Sequence, residues 1–323
     1  MIHIKTGAVI LAAGSSQQMK EFRPLMCIGG QPMICRIVDM LMQLKAGPIA
    51  AVLGERHEAV RRCLSGSQVV FIHNRRYAKT DMLESLKLGL KAIQPLCDRA
   101  VIILPADLPL VKPETVETLL CHAGDAVVPE FAGLSGHPIV LSGAAFDRVL
   151  AYEGENGLRG MMESGLLNAV TVPVDDRAVL MDVNTREDYG QASDYEAAMS
   201  GSGRLHLRCD FVLAVNKVVV DSQLVLLLQM LEYTGSLQSA SECVDMSYSR
   251  SWRLIKSLEM ELGTSLIESS AGGVKGGGSK LTEAGRCLVT QYQKVAAEGE
   301  RVIKLLFREC FSDEIIKKIQ KSD

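Results

Sequence analysis

The 323-residue chain has no apolar run approaching the ~18–20 residues that a membrane span requires. Its first ten residues lack the charged, apolar and small-residue succession of a secretory signal. These absences predict a cytoplasmic protein with no membrane segment. The nine cysteines (Cys27, Cys35, Cys63, Cys97, Cys121, Cys209, Cys243, Cys287, Cys310) are dispersed, and no C-x-x-C occurs. An odd, scattered set suggests neither a disulfide framework nor a zinc site, and fits reduced thiols used as small apolar side chains. Internal repeats are absent. So is a basic excess: residues 1–200 carry 19 basic and 23 acidic side chains, and residues 201–323 carry 16 and 15. The near-neutral second stretch weighs against DNA binding, because phosphate contacts supply most of that affinity.

The length suits two domains. Ser200-Gly201-Ser202-Gly203 reads as a flexible linker and predicts domains at 1–198 and 204–323. In the first, Gly7–Leu11, Ala50–Leu53, Val69–Ile72, Ala100–Leu104 and Ala126–Val128 are short apolar runs of buried-strand type. Amphipathic helices lie between them. One repeats Met33, Ile34, Ile37, Val38, Leu41 and Met42 behind Pro32; another has Asp81 and Glu84 at capping-box spacing before Leu86, Leu90 and Ile93. The alternation predicts an α/β fold: a Rossmann-like, mostly parallel sheet with helices on both faces.

In the second domain, Leu205–Leu213 and Lys217–Val220 suggest a hairpin around Ala214-Val215-Asn216. Three helices follow, over Ser222–Tyr233, Ser236–Val244 and Ser247–Leu262, then a glycine-rich ribbon and a long helix from Thr282 to about Phe307. This reads as a helix-turn-helix with a wing. The periodicity of the third helix puts Trp252, Ile255, Leu258 and Leu262 on an apolar face and Ser249, Arg250, Arg253 and Lys256 on a polar one. The polar set could enter a major groove while Lys275 and Lys280 on the ribbon reach phosphates. By periodicity alone, a solvated charged face on a small helical domain is the better reading.

The loop Leu11-Ala12-Ala13-Gly14-Ser15-Ser16 follows the first strand. Small residues let backbone N–H groups approach phosphate oxygens, and serine hydroxyls add donors. A loop at a strand's carboxyl end sits where open α/β sheets bind ligands. Glycine-rich strand ends also serve packing alone.

Five ordered motifs extend this reading. Residues 7–190 resemble the MobA-like nucleotidyltransferase superfamily, from Leu11-Ala12-Ala13-Gly14 through Arg23-Pro24-Leu25. The resemblance implies that Asp81 to Leu90, Ser85 included, receives base and ribose. It makes Leu104-Pro105-Ala106-Asp107-Leu108-Pro109-Leu110 the metal-aspartate motif. Ser135-Gly136-His137-Pro138 and Gly157-Leu158-Arg159-Gly160 become acceptor-side loops, and Asp182 to Tyr189 the closing motif. Gly136-His137-Pro138 and Ala13 are most similar to the molybdenum cofactor cytidylyltransferases. That implies transfer of CMP from CTP to the phosphate of molybdopterin, with release of pyrophosphate, to serve a molybdenum hydroxylase apoenzyme. Mg²⁺ would bridge Asp107 and the triphosphate, with Asn184 or else Asp182 completing its shell. A turn or helix-capping role for Asp107, and a packing role for His137, stand beside these assignments.

Two departures from the family pattern bear on activity. Gln18 stands where an arginine is usual and Arg23 where a lysine is usual, with Lys20 in place of glycine. Losing one charge-assisted contact costs ~1.5–3 kcal/mol, or about ten- to a hundred-fold in rate if felt at the transition state. Lys20 is placed to substitute, and Arg23 keeps the charge without the compact ammonium.

Residues 204–295 resemble the winged helix-turn-helix of molybdate-responsive, LysR-type (ModE-like) regulators, through Met246-Ser247-Tyr248-Ser249-Arg250-Ser251-Trp252 and the double-glycine ribbon ending at Thr282. The resemblance implies DNA as partner and a homodimer through the long C-terminal helix. Two other readings remain: a transcription regulator whose degenerate transferase domain senses nucleotide or molybdenum cofactor, and an enzyme whose winged helix only dimerises.

Overall fold

Strand β1 (Thr6–Ala12) is apolar on both sides because it lies inside a sheet covered on both faces; Ala8, Val9 and Ile10 are fully buried. In the computed structural model, residues 6–14, 22–64, 67–97, 99–199, 209, 211–216, 218–269, 278–311 and 315 are described. The chain falls into two compact units, Met1–Gly201 and Ser202–Asp323.

In the first unit β1 is joined by β2 (Ile49–Leu53), β3 (Val69–His73), β4 (Ala100–Pro105), β5 (Ala126–Phe131), β6 (Ile139–Ser142) and β7 (Ala169–Pro173). The sheet order is β7-β5-β6-β4-β1-β2-β3, with the short strand Leu134–Ser135 paired to β5. All main pairings are parallel except those of β6, which runs antiparallel between β4 and β5. The helices are α1 (Met33–Gln43), α2 (His57–Cys63), α3 (Met82–Ile93), α4 (Pro113–Leu120), α5 (Phe146–Ala151), α6 (Gly157–Glu163) and α7 (Arg186–Met199). The expected mostly parallel α/β sheet is present, and each of the five expected strand runs overlaps an observed strand.

Parallel register decides where chemistry can occur. Leu11 lies opposite Val52 and Pro105, so β1, β2 and β4 end together. The Ala106 amide donates to the Leu11 carbonyl at 3.0 Å, tying the segment after β4 to the loop after β1. Helix α3 seats Leu83, Leu86, Leu90 and Ile93 against the sheet. Gly89 sets its distance, for a Cβ there would lie 2.6 Å from a Val9 methyl. Asp81 caps the helix as spaced: its carboxylate accepts from the Glu84 amide at 2.9 Å, while the Glu84 carboxylate pairs with Lys87 at 3.1 Å.

The second unit contains β8 (Leu213–Val215) and β9 (Val218–Val220), then α8 (Ser222–Thr234), α9 (Leu237–Cys243) and α10 (Tyr248–Leu262). After these come β10 (Ile267–Ser269), β11 (Ser279–Leu281) and α11 (Glu283–Cys310). Side chains of Asp221, Ser236, Ser247 and Thr282 cap α8, α9, α10 and α11. Gly235 and Gly263, both at φ +65°, close α8 and α10. Glu259 is buried on α10, where its carboxylate accepts from the Leu266 and Ile267 amides at 2.7 and 3.1 Å and pairs with Lys256 at 2.6 Å.

Two expectations are corrected here. Ala214 and Val215 pair within the ladder instead of forming the turn, and of the turn residues between Val215 and Val218 the described one is Asn216, at φ +52°. Leu205 to Arg208, Asp210, Lys217 and the Ser200–Gly203 linker lie outside the described residues. On α10 the buried positions are Ser251, Ile255, Leu258 and Glu259. Trp252 and Leu262 are 37% and 39% exposed, since the inward stripe is rotated toward the side that carries Glu259.

Candidate functional site

The common edge of β1, β2 and β4 opens into a cleft of about 220 Å³. Its wall takes Leu11 and Ala12 from the end of β1, Ala13 and Gly14 from just beyond it, Arg23 and Pro24 from a turn, and Pro105, Ala106 and Asp107 from the end of β4 and the segment after it. Tyr77, Thr80, Asp81, Met82 and Ser85 complete it from the β3–α3 connection. Eight residues singled out in the sequence, spread from Leu11 to Asp107, therefore meet in one cleft. Ser15, Ser16, Gln18 and Lys20 lie outside the described residues.

Gly54, just past β2, joins the two ends of this wall. A Cβ there would stand 2.6 Å from the Ala13 carbonyl oxygen and 2.7 Å from the Tyr77 ring. Only glycine lets these segments approach so closely.

Asn74 is the residue that sequence reasoning missed. It is 3% exposed, and its amide donates to Thr80 Oγ1 at 2.9 Å and Ser85 Oγ at 3.1 Å. Its Oδ1 accepts from the Arg76 amide at 3.0 Å, and its own amide donates to the Leu53 carbonyl at 2.8 Å. One buried side chain thus fixes the hydroxyls on the wall opposite the phosphate-type loop. An asparagine ending a buried run and starting a turn is an Asx-turn signal, and that signal was available.

The charged centre lies between Asp107 and the segment preceding α7. Arg23 Nη1 stands 3.5 Å from Asp107 Oδ2 and donates to Asn184 Oδ1. Asn184 Nδ2 donates to Asp182. Asp188 holds the segment in place, accepting from the Asn184 and Thr185 amides at 3.0 and 2.7 Å. The Val183 amide reaches the Asp107 carbonyl at 2.9 Å. Burial raises the Asp107 carboxyl above its ordinary range; Arg23 pulls it back, and Asp182 adds to the rise. Asp107, Asp182 and the Asn184 amide offer hard oxygen donors of the kind a divalent cation takes. Arg23 occupies two of those three in this arrangement.

Gly136 and Pro138 are buried and His137 partly so. The Gly136 amide donates to the Pro129 carbonyl at 2.8 Å and the His137 amide to the Val179 carbonyl at 3.0 Å. Burial lowers the His137 imidazole, and Asp182 opposes that shift, so the ring is mainly neutral near pH 7. Asp182 acts on both His137 and Asp107, which brings the acceptor-type loop and the acidic centre into one electrostatic neighbourhood. Arg159, by contrast, is a solvated residue of α6 paired with Glu163 at 3.3 Å.

In the second unit Ser249, Arg250 and Arg253 are exposed on α10. Lys256, half-buried, pairs with Glu259 and lies over the Trp252 ring at 4.7 Å. Lys280 is exposed on β11 opposite Glu268. Lys275 lies outside the described residues.

Comparison with known proteins gives both units a context. Residues 8–170 match the MobA-like NTP transferase domain, and residues 222–286 match the bacterial regulatory helix-turn-helix protein, lysR family. Bifunctional protein GlmU of Nitratidesulfovibrio vulgaris (strain DSM 19637 / Miyazaki F) is 35% identical over 126 residues, 38% of this chain and 27% of the relative. GlmU of Pseudoalteromonas atlantica (strain T6c / ATCC BAA-1087) is 37% identical over 120 residues, 35% and 24% of the two. The chain spans about a quarter of the length of the curated relatives it matches. Among solved structures, a nucleotidyl transferase from Methanothermobacter thermautotroptrophicus superposes with a TM-score of 0.53 at 21% identity, over 60% of this chain and 99% of that one. Rv0371c from Mycobacterium tuberculosis H37Rv gives 0.53 at 22%, over 59% and 98%.

Proposed function

Because the chain belongs to the MobA-like NTP transferase family and carries a lysR-type helix-turn-helix in its second unit, we propose that it transfers CMP from CTP to molybdopterin, releasing pyrophosphate, and binds DNA. The observation that carries the transferase reading is the convergence of Leu11–Gly14, Arg23, Asp81, Ser85 and Asp107 on one cleft. Backbone N–H groups of the Ala12–Gly14 segment face the phosphates, and the wall held by Asn74 receives the nucleoside. Such a reaction asks mainly for positioning and charge neutralisation, because the acceptor phosphate attacks the α-phosphorus in line. Arg23 supplies positive charge where pyrophosphate departs. Asp107, with Asn184 and Asp182, would hold Mg²⁺, which when bound neutralises triphosphate charge. His137, neutral beside Asp182, orients the acceptor by hydrogen bonding and carries no charge of its own.

The remaining assignments rest on the same reading. The protein works in the cytoplasm, hands its product to a molybdenum hydroxylase apoenzyme, and forms a homodimer through α11, where Val302, Leu305 and Leu306 are exposed. Among the described residues, no helix is long and apolar enough to cross a membrane. Ser249, Arg250, Arg253, Lys280 and Lys275 face DNA. Occupancy of the first unit biases DNA binding by the second, which requires DNA to alter CTP affinity in return.

The engagement of Arg23 with Asp107 and Asn184 favours a second reading, in which the transferase unit binds nucleotide as a sensor without turnover. Pyrophosphate release from CTP, GTP and ATP, measured with Mg²⁺ and molybdopterin beside Asp107→Ala, separates the two. CTP-dependent release abolished by the substitution supports the enzyme. Nucleotide binding without turnover overturns it in favour of the sensor.

A further inference from the structure

Helix α10 leaves two aromatic rings in solvent that its packing does not need. The helix buries Ser251, Ile255, Leu258 and Glu259, while Tyr248 and Trp252 remain 45% and 37% exposed. The rings lie one turn apart, 13° from parallel, with centroids separated by 6.4 Å. Lys256 holds the indole: its ammonium sits 4.7 Å from the centre of Trp252 and is anchored on Glu259 at 2.6 Å. A buried carboxylate, a lysine and an indole thus form a chain that keeps one flat apolar surface turned outward. Lys256, neutralised by Glu259, is a ring-holding group here and a poor phosphate ligand.

The neighbours of the rings suit a particular partner. Ser249, Arg250 and Arg253 are exposed beside them, and among the described residues neither arginine makes an ion pair. In a helix-turn-helix, the N-terminal half of the recognition helix meets base edges in the major groove. That groove has one apolar feature, the 5-methyl group of thymine. Residues 201–323 carry a net charge of only +1, so phosphate attraction is weak and more of the affinity must come from base contacts.

We infer that Tyr248 and Trp252 form an apolar reading surface that packs on thymine 5-methyl groups of duplex DNA, with Arg250 and Arg253 fixing the helix on the adjacent backbone. The inference rests on the DNA-binding reading above and adds what that surface reads.

The full chain is used to select duplexes from a random pool, and a selected duplex is remade with deoxyuridine for thymidine, which removes only methyl groups. Trp252 is the chain's one tryptophan, so its emission reports on the contact without labelling. The expected result is a loss of roughly four-fold in affinity per contacted methyl, a change in emission with thymidine DNA, and a smaller change with deoxyuridine DNA. Trp252→Ala and Tyr248→Ala should bind both duplexes alike, with helical circular dichroism retained because neither ring is in the core.

Equal affinity for both duplexes, with unaltered emission, overturns the methyl-reading inference and leaves DNA binding intact. Failure to enrich any duplex, with no salt-dependent binding, overturns the DNA reading itself. Emission that follows protein concentration instead of DNA means that a second copy covers the rings, which also overturns the inference.

Discussion

Arg23→Met tests the charged centre most directly, because it removes the guanidinium while keeping side-chain length. Arg23 and Asp107 are 18% and 25% exposed and 3.5 Å apart, so solvent screens the pair only in part. A neighbouring guanidinium lowers a carboxyl by about 1–3 pKa units, at ~1.4 kcal/mol each. Partial exposure puts the expected loss for this pair near 1.5–3 kcal/mol, or roughly 3–10 °C in melting temperature for a unit of this size. The sign follows from which form burial penalises. Asp107 is already raised by burial, and without Arg23 it rises further. The destabilisation is therefore complete above the variant's Asp107 pKa and disappears as pH falls below the wild-type value. Thermal unfolding of wild type, Arg23→Met, Asp107→Asn and the double variant, at neutral and acid pH, closes the cycle. The expected outcome is that Asp107→Asn restores stability to Arg23→Met at neutral pH. If Arg23→Met melts with wild type, or the two substitutions simply add, the charge-pair account is wrong.

Asn74→Ala removes two donors and an acceptor from behind the cleft wall, and on the proposed reading isothermal titration should show CTP binding weakened by roughly ten-fold or more, at ~1 kcal/mol or above per lost hydrogen bond. Gly136→Ala would put a Cβ 2.3 Å from the Val179 carbonyl oxygen; the overpacking predicts a loss of ~1–3 kcal/mol by melting and a higher KM for the acceptor. Burial raises the Glu259 carboxyl, but Lys256 and the Ile267 and Leu266 amides bring it net below the ordinary value. Its stabilisation is present above the unfolded glutamate pKa and is lost as pH falls through the folded one. Glu259→Gln should therefore flatten the acid dependence of unfolding in the second unit, followed by circular dichroism.

The strands that carry the cleft were legible because each is a continuous apolar run, the pattern that a doubly covered parallel sheet imposes. Residues 139–142 were not assigned: β6 is four residues long and follows a loop read as an acceptor motif, so its pairing with β4 and β5 is a tertiary fact. Leu11 to Gly14 and Asp107 were legible because they follow strand ends, and Arg23, Asp81 and Ser85 through the family motifs. Asn74 was legible as a turn residue only, because its role depends on Thr80 and Ser85 being folded back over it. On α10, the four-residue apolar list placed Ile255 and Leu258 inward as they are, but Trp252 and Leu262 wrongly, because the polar Glu259 and Ser251 share the core side. A carboxylate that binds two backbone amides and an ammonium looks like a surface residue in a one-dimensional pattern.

Glu259 also sets a length. Its carboxylate accepts from both amides at the base of β10 while its backbone belongs to α10, so helix and ribbon strand are fastened at one point and cannot slide independently. Helix α10 and strand β10 therefore keep one fixed offset, and any change in it requires breaking the carboxylate clasp first.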